Sequence, residues 1–145
     1  MMSGVFVDSN VFLKVLEGDH NLKYYFINLC ESDVVYRNPV VYSEVVYVWF
    51  RLSTGKKSFE LKKLPELVKS KSKELKKVED FLNLAENLSI NHKIEKTASG
   101  IIKQYGLLPN DALIVATCKH YGIKRIATLD KDFNRIDFLE VLEVG

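Results

Sequence analysis

The chain has 145 residues, of which 47% are hydrophobic, and its formal net charge is +2. This size and composition predict one compact domain over residues 1–145 and exclude an intrinsically disordered chain. No stretch approaches the roughly 18 uncharged apolar residues of a membrane span, and the start lacks the basic region of a secretory signal, so we expect a cytoplasmic protein.

The first part of the chain predicts strands that alternate with helices. Three apolar residues at 5–7 predict a buried strand that ends at Asp8. Ser9 and Asn10 are suited to cap the helix that follows. A second helix is predicted at about 22–30, and a second strand at 34–36.

A run that contains no charge except Glu44 spans residues 40–50. Its β-branched and aromatic residues favour a strand. The run is longer than a typical strand, however, and it follows Pro39 and ends before Gly55, which are helix start and stop signals. We therefore predict a helix.

The rest of the chain continues the alternation. Within a lysine-rich segment at about 56–86 we predict two helices divided near residues 70–72, with Pro65 either starting or kinking the first. The remaining predicted elements are a strand at 88–90, helices at 94–105 and 109–122, a strand at 126–128 and an edge strand at 139–144. Such alternation predicts an α/β fold, with a mainly parallel central sheet covered on both faces in a three-layer α/β/α arrangement.

Four acidic residues fall where this fold brings chain segments together. Asp8 and Asp130 follow predicted strands, Asp111 lies in the first turn of a late helix, and Glu44 lies inside the apolar helix. Because sites in such folds form beyond the carboxyl ends of the strands, we expect these side chains to converge. Clustered carboxylates raise one another's pKa and persist only by sharing protons or binding a hard divalent cation. The sequence therefore predicts a metal site.

Each acid also has a simpler explanation. Asp8 and Asp111 can be ordinary helix-start carboxylates, and Asp130 can be a turn or cap residue. Glu44 is different, because burying a lone carboxylate is costly and no basic residue stands one helical turn away. A neighbouring tyrosine could donate a hydrogen bond to it, or Glu44 could face solvent.

The cysteines and histidines give little support for a zinc site or a disulfide. Cys30 and Cys118 lie far apart in apolar helical patterns, so we predict two buried, reduced thiols. His20, His92 and His120 are scattered without metal-ligand spacing, which favours surface positions.

The charge is unevenly distributed along the chain. Residues 56–77 hold nine lysines and three acids, a local charge of +6, so the remaining residues sum to −4. An acidic pocket beside a basic region suits a metal-dependent enzyme that acts on a polyanion. Alternatively, the lysines are only the solvated face of an amphipathic helix. The lysines that we select as candidate RNA contacts are Lys71, Lys73, Lys76 and Lys77.

Four segments, at residues 7–12, 43–45, 110–116 and 127–133, carry these acids in an order and spacing that resemble those of the PIN-domain nucleases. Within that family the chain is similar to the small ribonucleases typified by the VapC toxins of type II toxin–antitoxin pairs. The likeness covers nearly the whole chain, so it implies a PIN-like fold.

The resemblance also implies roles for individual residues. The metal-binding, catalytic carboxylates would be Asp8, Glu44, Asp111 and Asp130, with Asp132 as a further candidate ligand or supporting acid, and the supporting polar residues would be Asn10 and Thr128. The segment that carries Asp130 and Asp132 could be extended chain or a turn, and the sequence leaves open which of the two acids is the ligand. We favour Asp130.

The ligand type and the resemblance together indicate a reaction. Carboxylates without thiolate or imidazole favour Mg²⁺ or Mn²⁺, which activate water for in-line attack on phosphorus. The resemblance implies hydrolysis of looped or single-stranded RNA to a 3′-hydroxyl and a 5′-phosphate, and a cognate antitoxin that inserts a side chain among the acids. We also expect a homodimer. The aromatic residues that line its interface, or else pack in the core, are Tyr24, Tyr25, Phe26, Trp49 and Phe50.

Two other functions are considered. The same fold could be a non-catalytic module that binds RNA or protein, although four intact acids argue against it. A phosphatase of the haloacid dehalogenase type needs a second aspartate two positions after its nucleophile, where this chain has Asn10.

Overall fold

The structure is a computed structural model that describes residues 3–144. Within that range the strands are β1 (Val5–Val7), β2 (Val35–Arg37), β3 (Glu86–Asn87), β4 (Arg125–Ala127) and β5 (Glu140–Leu142). The helices are α1 (Ser9–Leu16), α2 (His20–Ser32), α3 (Pro39–Thr54), α4 (Ser58–Lys62), α5 (Pro65–Lys71), α6 (Leu75–Leu82), α7 (His92–Tyr105) and α8 (Pro109–Tyr121). Short 3₁₀ turns lie at Ser72–Glu74 and Lys131–Arg135.

The sheet has the order β3-β2-β1-β4-β5, and each adjacent pair is parallel. Its central strand β1 is completely buried, because helices pack on both faces. Val7 lies opposite Ala127 of β4, so β1 and β4 end side by side. The predicted α/β fold with a mainly parallel sheet is confirmed, and in residues 3–144 no helix is long and apolar enough to cross a membrane.

The run at residues 40–50 is part of α3, as predicted. Pro39 occupies its first turn, and the side chain of Asn38 caps the helix by accepting a hydrogen bond from the Val41 amide at 3.2 Å. Gly55 ends the helix in the left-handed conformation, with φ of 69°. The helix therefore forms despite its β-branched content because both ends carry strong stop and start signals.

The predicted strand at residues 88–90 was wrong. The strand β3 is instead Glu86–Asn87, two exposed residues that pair with the end of β2. Leu88 is buried and its amide still bonds the Arg37 carbonyl at 2.7 Å, but the chain leaves the sheet there. The apolar residues mark packing against the core, and the ladder is formed by the polar pair before them.

One alternative about burial is decided and one prediction about burial was wrong. Phe26 is not available for a dimer interface, because its ring packs in the core against Phe12 and Phe81, with centroids 5.4 and 5.1 Å away. Cys30 is exposed at the end of α2, whereas Cys118 is buried as predicted. The apolar pattern around Cys30 belongs to neighbours on the inner face of the helix.

The lysine-rich segment forms α4, α5 and α6. Pro65 starts α5 rather than kinking it. The chain turns at Ser72–Glu74, close to the predicted division, and α6 buries Val78 and Leu82 against the core.

A buried arginine ties this helical segment to the sheet. Arg37, at the end of β2, is only 7% exposed. Its guanidinium donates hydrogen bonds to the Leu82 carbonyl at 2.9 Å, to Asn83 Oδ1 at 2.9 Å and to Asn87 Oδ1 at 3.1 Å. One fork of donors thus joins β2, the end of α6 and β3.

We predict that Arg37→Met lowers the free energy of unfolding by about 1 to 3 kcal/mol, because three acceptors lose their donor while the aliphatic stem is kept. Urea denaturation followed by circular dichroism measures the change. The matched control is Lys96→Met on the exposed face of α7, which we expect to change stability by less than about 0.5 kcal/mol. Equal effects of both substitutions would contradict a clamping role for Arg37.

Candidate functional site

The site lies at the edge of the sheet where β1 and β4 end. Asp8 and Thr128 directly follow these strands, and the Asp8 amide donates to the Ala127 carbonyl at 3.0 Å. The two side chains are therefore neighbours because the strands are parallel and in register. Asp130 follows two residues later.

Asp8 is only 4% exposed and is held by three donors. Its Oδ1 accepts from the Ser9 amide at 2.7 Å, and its Oδ2 accepts from Thr128 Oγ1 at 2.8 Å and from Asn10 Nδ2 at 3.3 Å. Burial nevertheless dominates and raises the pKa of Asp8 to about 6, against the lowering effect of these hydrogen bonds. Ionising this group therefore costs more than ionising an exposed carboxyl, and a nearby positive charge would offset that cost.

Thr128 and Asn10, the predicted supporting residues, join the two strand ends. Thr128 Oγ1 accepts from the Asp130 amide at 3.0 Å and from Asn10 Nδ2 at 3.3 Å, while it donates to Asp8. Asn10 Oδ1 accepts from the Leu129 amide at 3.1 Å. The network fixes the loop after β4 relative to Asp8.

Glu44 projects from α3 towards the same edge and is half-buried. Its Oε1 accepts a hydrogen bond from Ser9 Oγ at 3.1 Å, and the nearby Asn110 side chain acts to lower its pKa. Burial raises the pKa of Glu44, and the nearby charge of Asp111 raises it further. A tyrosine donor was one alternative from the sequence, but no hydrogen bond joins Glu44 to Tyr42 or Tyr47 in residues 3–144, and both tyrosines are exposed, by 41% and 50%.

Asp111 lies in the first turn of α8 and faces the other acids. Its pKa is raised to about 6. Burial is the largest cause, and the negative charges of Asp8, Asp130 and Asp132 raise the pKa further. The position at a helix start should favour a charged carboxylate. The upward shift therefore shows that burial and mutual repulsion outweigh the helix dipole here.

The 3₁₀ turn at Lys131–Arg135 brings both Asp130 and Asp132 towards Asp111. Asp130 caps this turn, with Oδ1 accepting from the Asp132 amide at 2.9 Å. Asp111, Asp130 and Asp132 each offer a carboxylate oxygen, and these oxygens lie within 4.8 Å of one another. The alternatives left open by the sequence, extended chain or turn, are thus decided in favour of the turn.

The donor set is suited to a hard divalent cation. Octahedral Mg²⁺ at about 2.1 Å from its ligands places ligand oxygens roughly 3 to 4 Å apart, a small contraction from the spacing found here. Burial, and to a smaller extent the neighbouring acids, raise the pKa of Asp8 and Asp111 to about 6, so a bound cation would favour their charged forms. The residues present therefore fit such an ion.

Of the four candidate RNA-contacting lysines, Lys71 ends α5, Lys73 lies in the turn at Ser72–Glu74, and the other two lie on α6. Lys71 pairs with Glu74 at 2.9 Å, and Lys76 pairs with Asp80 at 3.0 Å, both at exposed positions. Two of the four charges are thus partly neutralised within the segment, which favours the solvated-face alternative for Lys71 and Lys76.

Comparisons with known proteins agree with this architecture. The family model described as PIN domain matches residues 5–139. The chain is 38% identical to Ribonuclease VapC2 of Methanocaldococcus jannaschii over 97% of this chain and 93% of the relative. It is 35% identical to Ribonuclease VapC6 of the same organism, over 97% of each protein.

Solved structures share the fold at lower identity. The DNA-bound VapBC of Salmonella typhimurium matches with a TM-score of 0.67 at 19% identity, over 97% of this chain and 98% of the other. Mycobacterium tuberculosis VapC20, a sarcin-ricin loop cleaving toxin, matches with a TM-score of 0.62 at 18% identity, over 95% and 98%. Because the family model and both relatives span nearly its full length, the chain belongs to the PIN-domain family.

Proposed function

We propose that this protein is a Mg²⁺- or Mn²⁺-dependent endoribonuclease of the toxin type. The observation that carries the proposal is the convergence of carboxylates from four parts of the chain onto one edge of the sheet. The substrate is RNA with an accessible phosphate, in a loop or a single strand. Two relatives named as ribonucleases, each aligned over nearly the whole chain, support the reaction class.

The residues that would hold the ion are Asp8, Glu44, Asp111 and Asp130, with Asp132 as the further candidate. When bound, the ion supplies an activated water and offsets charge on the phosphate oxygens. The chain's own residues supply orientation: Thr128 and Asn10 immobilise Asp8, so that a carboxylate held ready for the ion needs little rearrangement. The expected products are a 3′-hydroxyl and a 5′-phosphate.

We propose in addition that an antitoxin regulates the activity. The structural neighbours include VapBC complexes, in which a VapC-type protein is accompanied by its partner. A basic or polar side chain of the partner, inserted among the acids, would satisfy the same uncompensated negative charge that favours the cation. A homodimer remains part of the proposal, with the exposed Tyr24 among its candidate interface residues.

We predict that the protein cleaves total RNA in Mg²⁺ and that EDTA abolishes the cleavage. Asp8→Asn and Glu44→Gln should each reduce the rate by about 100-fold or more, because each removes a negative charge from the ion's ligand set. Glu79→Gln, on the exposed surface of α6, is the matched control and should cleave as the wild type does. Cleavage is measured by gel electrophoresis with 5′-end mapping of the fragments.

Equal cleavage by the wild type, the EDTA-treated sample and Asp8→Asn would identify a contaminant and remove the support for catalysis. RNA binding without cleavage by the wild type would instead indicate the non-catalytic module.

We predict that the metal-free protein loses stability as the pH rises from about 4 to about 6. The pKa values of Asp8 and Asp111 in the folded protein are about 6, above the ordinary 3.8, so the folded state holds these protons more tightly than the unfolded state. The stabilisation is therefore complete below the ordinary pKa and disappears as the pH passes the folded value. Mg²⁺ should reverse the loss near neutral pH, because it binds the ionised carboxylates.

Thermal unfolding with EDTA or with millimolar Mg²⁺, at pH values across this window, measures the effect. Asp111→Asn removes one of the carboxyl groups whose pKa is raised and should flatten the pH dependence. A melting temperature that Mg²⁺ leaves unmoved near neutral pH would contradict the metal site.

We predict that replacing Lys71, Lys73, Lys76 and Lys77 together by alanine weakens RNA binding and flattens its dependence on salt, because fewer phosphate contacts release fewer counterions. The control replaces four lysines that lie on other surfaces, namely Lys93, Lys96, Lys119 and Lys124. Affinity is measured by fluorescence anisotropy at several salt concentrations. The same slope for the wild type and the first variant would assign these lysines to a purely solvated face.

A further inference from the structure

Glu44 is held by side chains from two other helices. Ser9, the first residue of α1, donates from Oγ to Glu44 Oε1 at 3.1 Å. Asn110, in the first turn of α8, lies close enough for its side chain to lower the pKa of the same carboxylate. The Glu44 carboxylate on α3 therefore lies between the starts of α1 and α8.

The Ser9 hydroxyl donates its proton to Glu44 in preference to Asp8. Ser9 Oγ has one proton, and its two acceptor oxygens lie 3.1 Å away on Glu44 and 3.4 Å away on Asp8. Asp8 already accepts from the Ser9 amide, from Thr128 and from Asn10. Since the shorter contact is to the carboxylate with fewer donors, the Ser9 hydroxyl serves Glu44.

Asn110 has a matching position on the other side. It directly precedes Asp111, whose negative charge raises the pKa of Glu44. Repulsion between Glu44 and Asp111 would turn a free glutamate side chain towards solvent, since three rotatable bonds allow it to move away. A donor from the residue next to Asp111 opposes that movement and keeps the two carboxylates facing each other.

We propose that Ser9 and Asn110 are positioning residues that fix the Glu44 carboxylate for ion binding, in the way that Thr128 and Asn10 fix Asp8. The inference rests on the proposed function, because it explains the contacts of Glu44 by the need to orient a metal ligand. Ser9 has two separate functions under this assignment: its amide holds Asp8 and its hydroxyl holds Glu44.

A double-mutant cycle tests the proposal through Mn²⁺ affinity, measured by isothermal titration calorimetry on the full chain without RNA. Ser9→Ala and Asn110→Ala should each weaken Mn²⁺ binding by about 10-fold, the lower range for residues that orient metal ligands. In a Glu44→Ala background the same two substitutions should have no further effect, because the side chain they orient is gone. A role in folding alone would persist in that background.

Two controls accompany the cycle. Ser9→Thr keeps a hydroxyl and should bind Mn²⁺ more tightly than Ser9→Ala. Ser53→Ala removes a hydroxyl elsewhere on α3 and should leave the affinity unchanged. Asn110 is exposed, so Asn110→Ala keeps the test decisive if Ser9→Ala fails to fold.

The outcomes separate this inference from the proposed function. Wild-type affinity in both Ser9→Ala and Asn110→Ala, in a protein that binds Mn²⁺ and cleaves RNA, would overturn the positioning role alone. Equal weakening with and without Glu44 would also overturn it. A wild-type protein that binds no Mn²⁺ would overturn the proposed function and the inference together.

Discussion

Repulsion among carboxylates at one edge of the sheet is the constraint on which the rest of the structure depends. Asp8 is almost fully buried, and Glu44 and Asp111 are half-buried beside it. Burial raises the pKa of each, and neighbouring acids add to the shift. If stability alone determined which residues stand here, apolar residues would be favoured, because they pack without the cost of desolvating a carboxylate. Binding of a positively charged ligand at this site would explain the arrangement.

The fold restrains these acids by attaching each to a different rigid element. Asp8 caps α1, Glu44 lies within α3, Asp111 opens α8 and Asp130 caps the turn after β4. The parallel register of β1 and β4 brings two of these attachments to the same edge. Hydrogen bonds through Ser9, Asn10 and Thr128 then connect Asp8 with Glu44 and with the loop that carries Asp130.

Much of this site could be predicted from the sequence, because its strongest signals are local. Asp8 follows three apolar strand residues, and Glu44 is the one charge in a long apolar run. The partners of Glu44 could not be predicted in the same way. Ser9 is 35 residues from Glu44 in the chain, and its position suggested only a helix cap. The available signal was adjacency, since Ser9 and Asn110 each stand next to a predicted ligand.

The fold shows the same division between local and non-local information. The ends of α3 were predictable, because Pro39 and Gly55 are local signals that start and stop a helix at their own positions. The place of β3 was not predictable, because its two exposed residues carry no apolar signal and are set by pairing with β2 and by the Arg37 fork. The predicted burial of Cys30 was wrong for a related reason. Periodicity identifies the apolar face of a helix, but a residue at the margin of that face can be either buried or exposed.

Asp130 and Asp132 differ in a way that bears on which of them we favour as the fourth ligand. Both reach the site, but Asp132 is exposed and its Oδ1 lies 3.3 Å from the guanidinium of Arg135. An ion binding there would compete with an existing cation. Asp130 has no comparable cationic partner among residues 3–144, and its Oδ1 is fixed by the Asp132 amide while its backbone amide is fixed by Thr128. The better restrained and less compensated carboxylate is the better ligand, so we assign Asp132 to holding the turn and keep Asp130 as the ligand of choice.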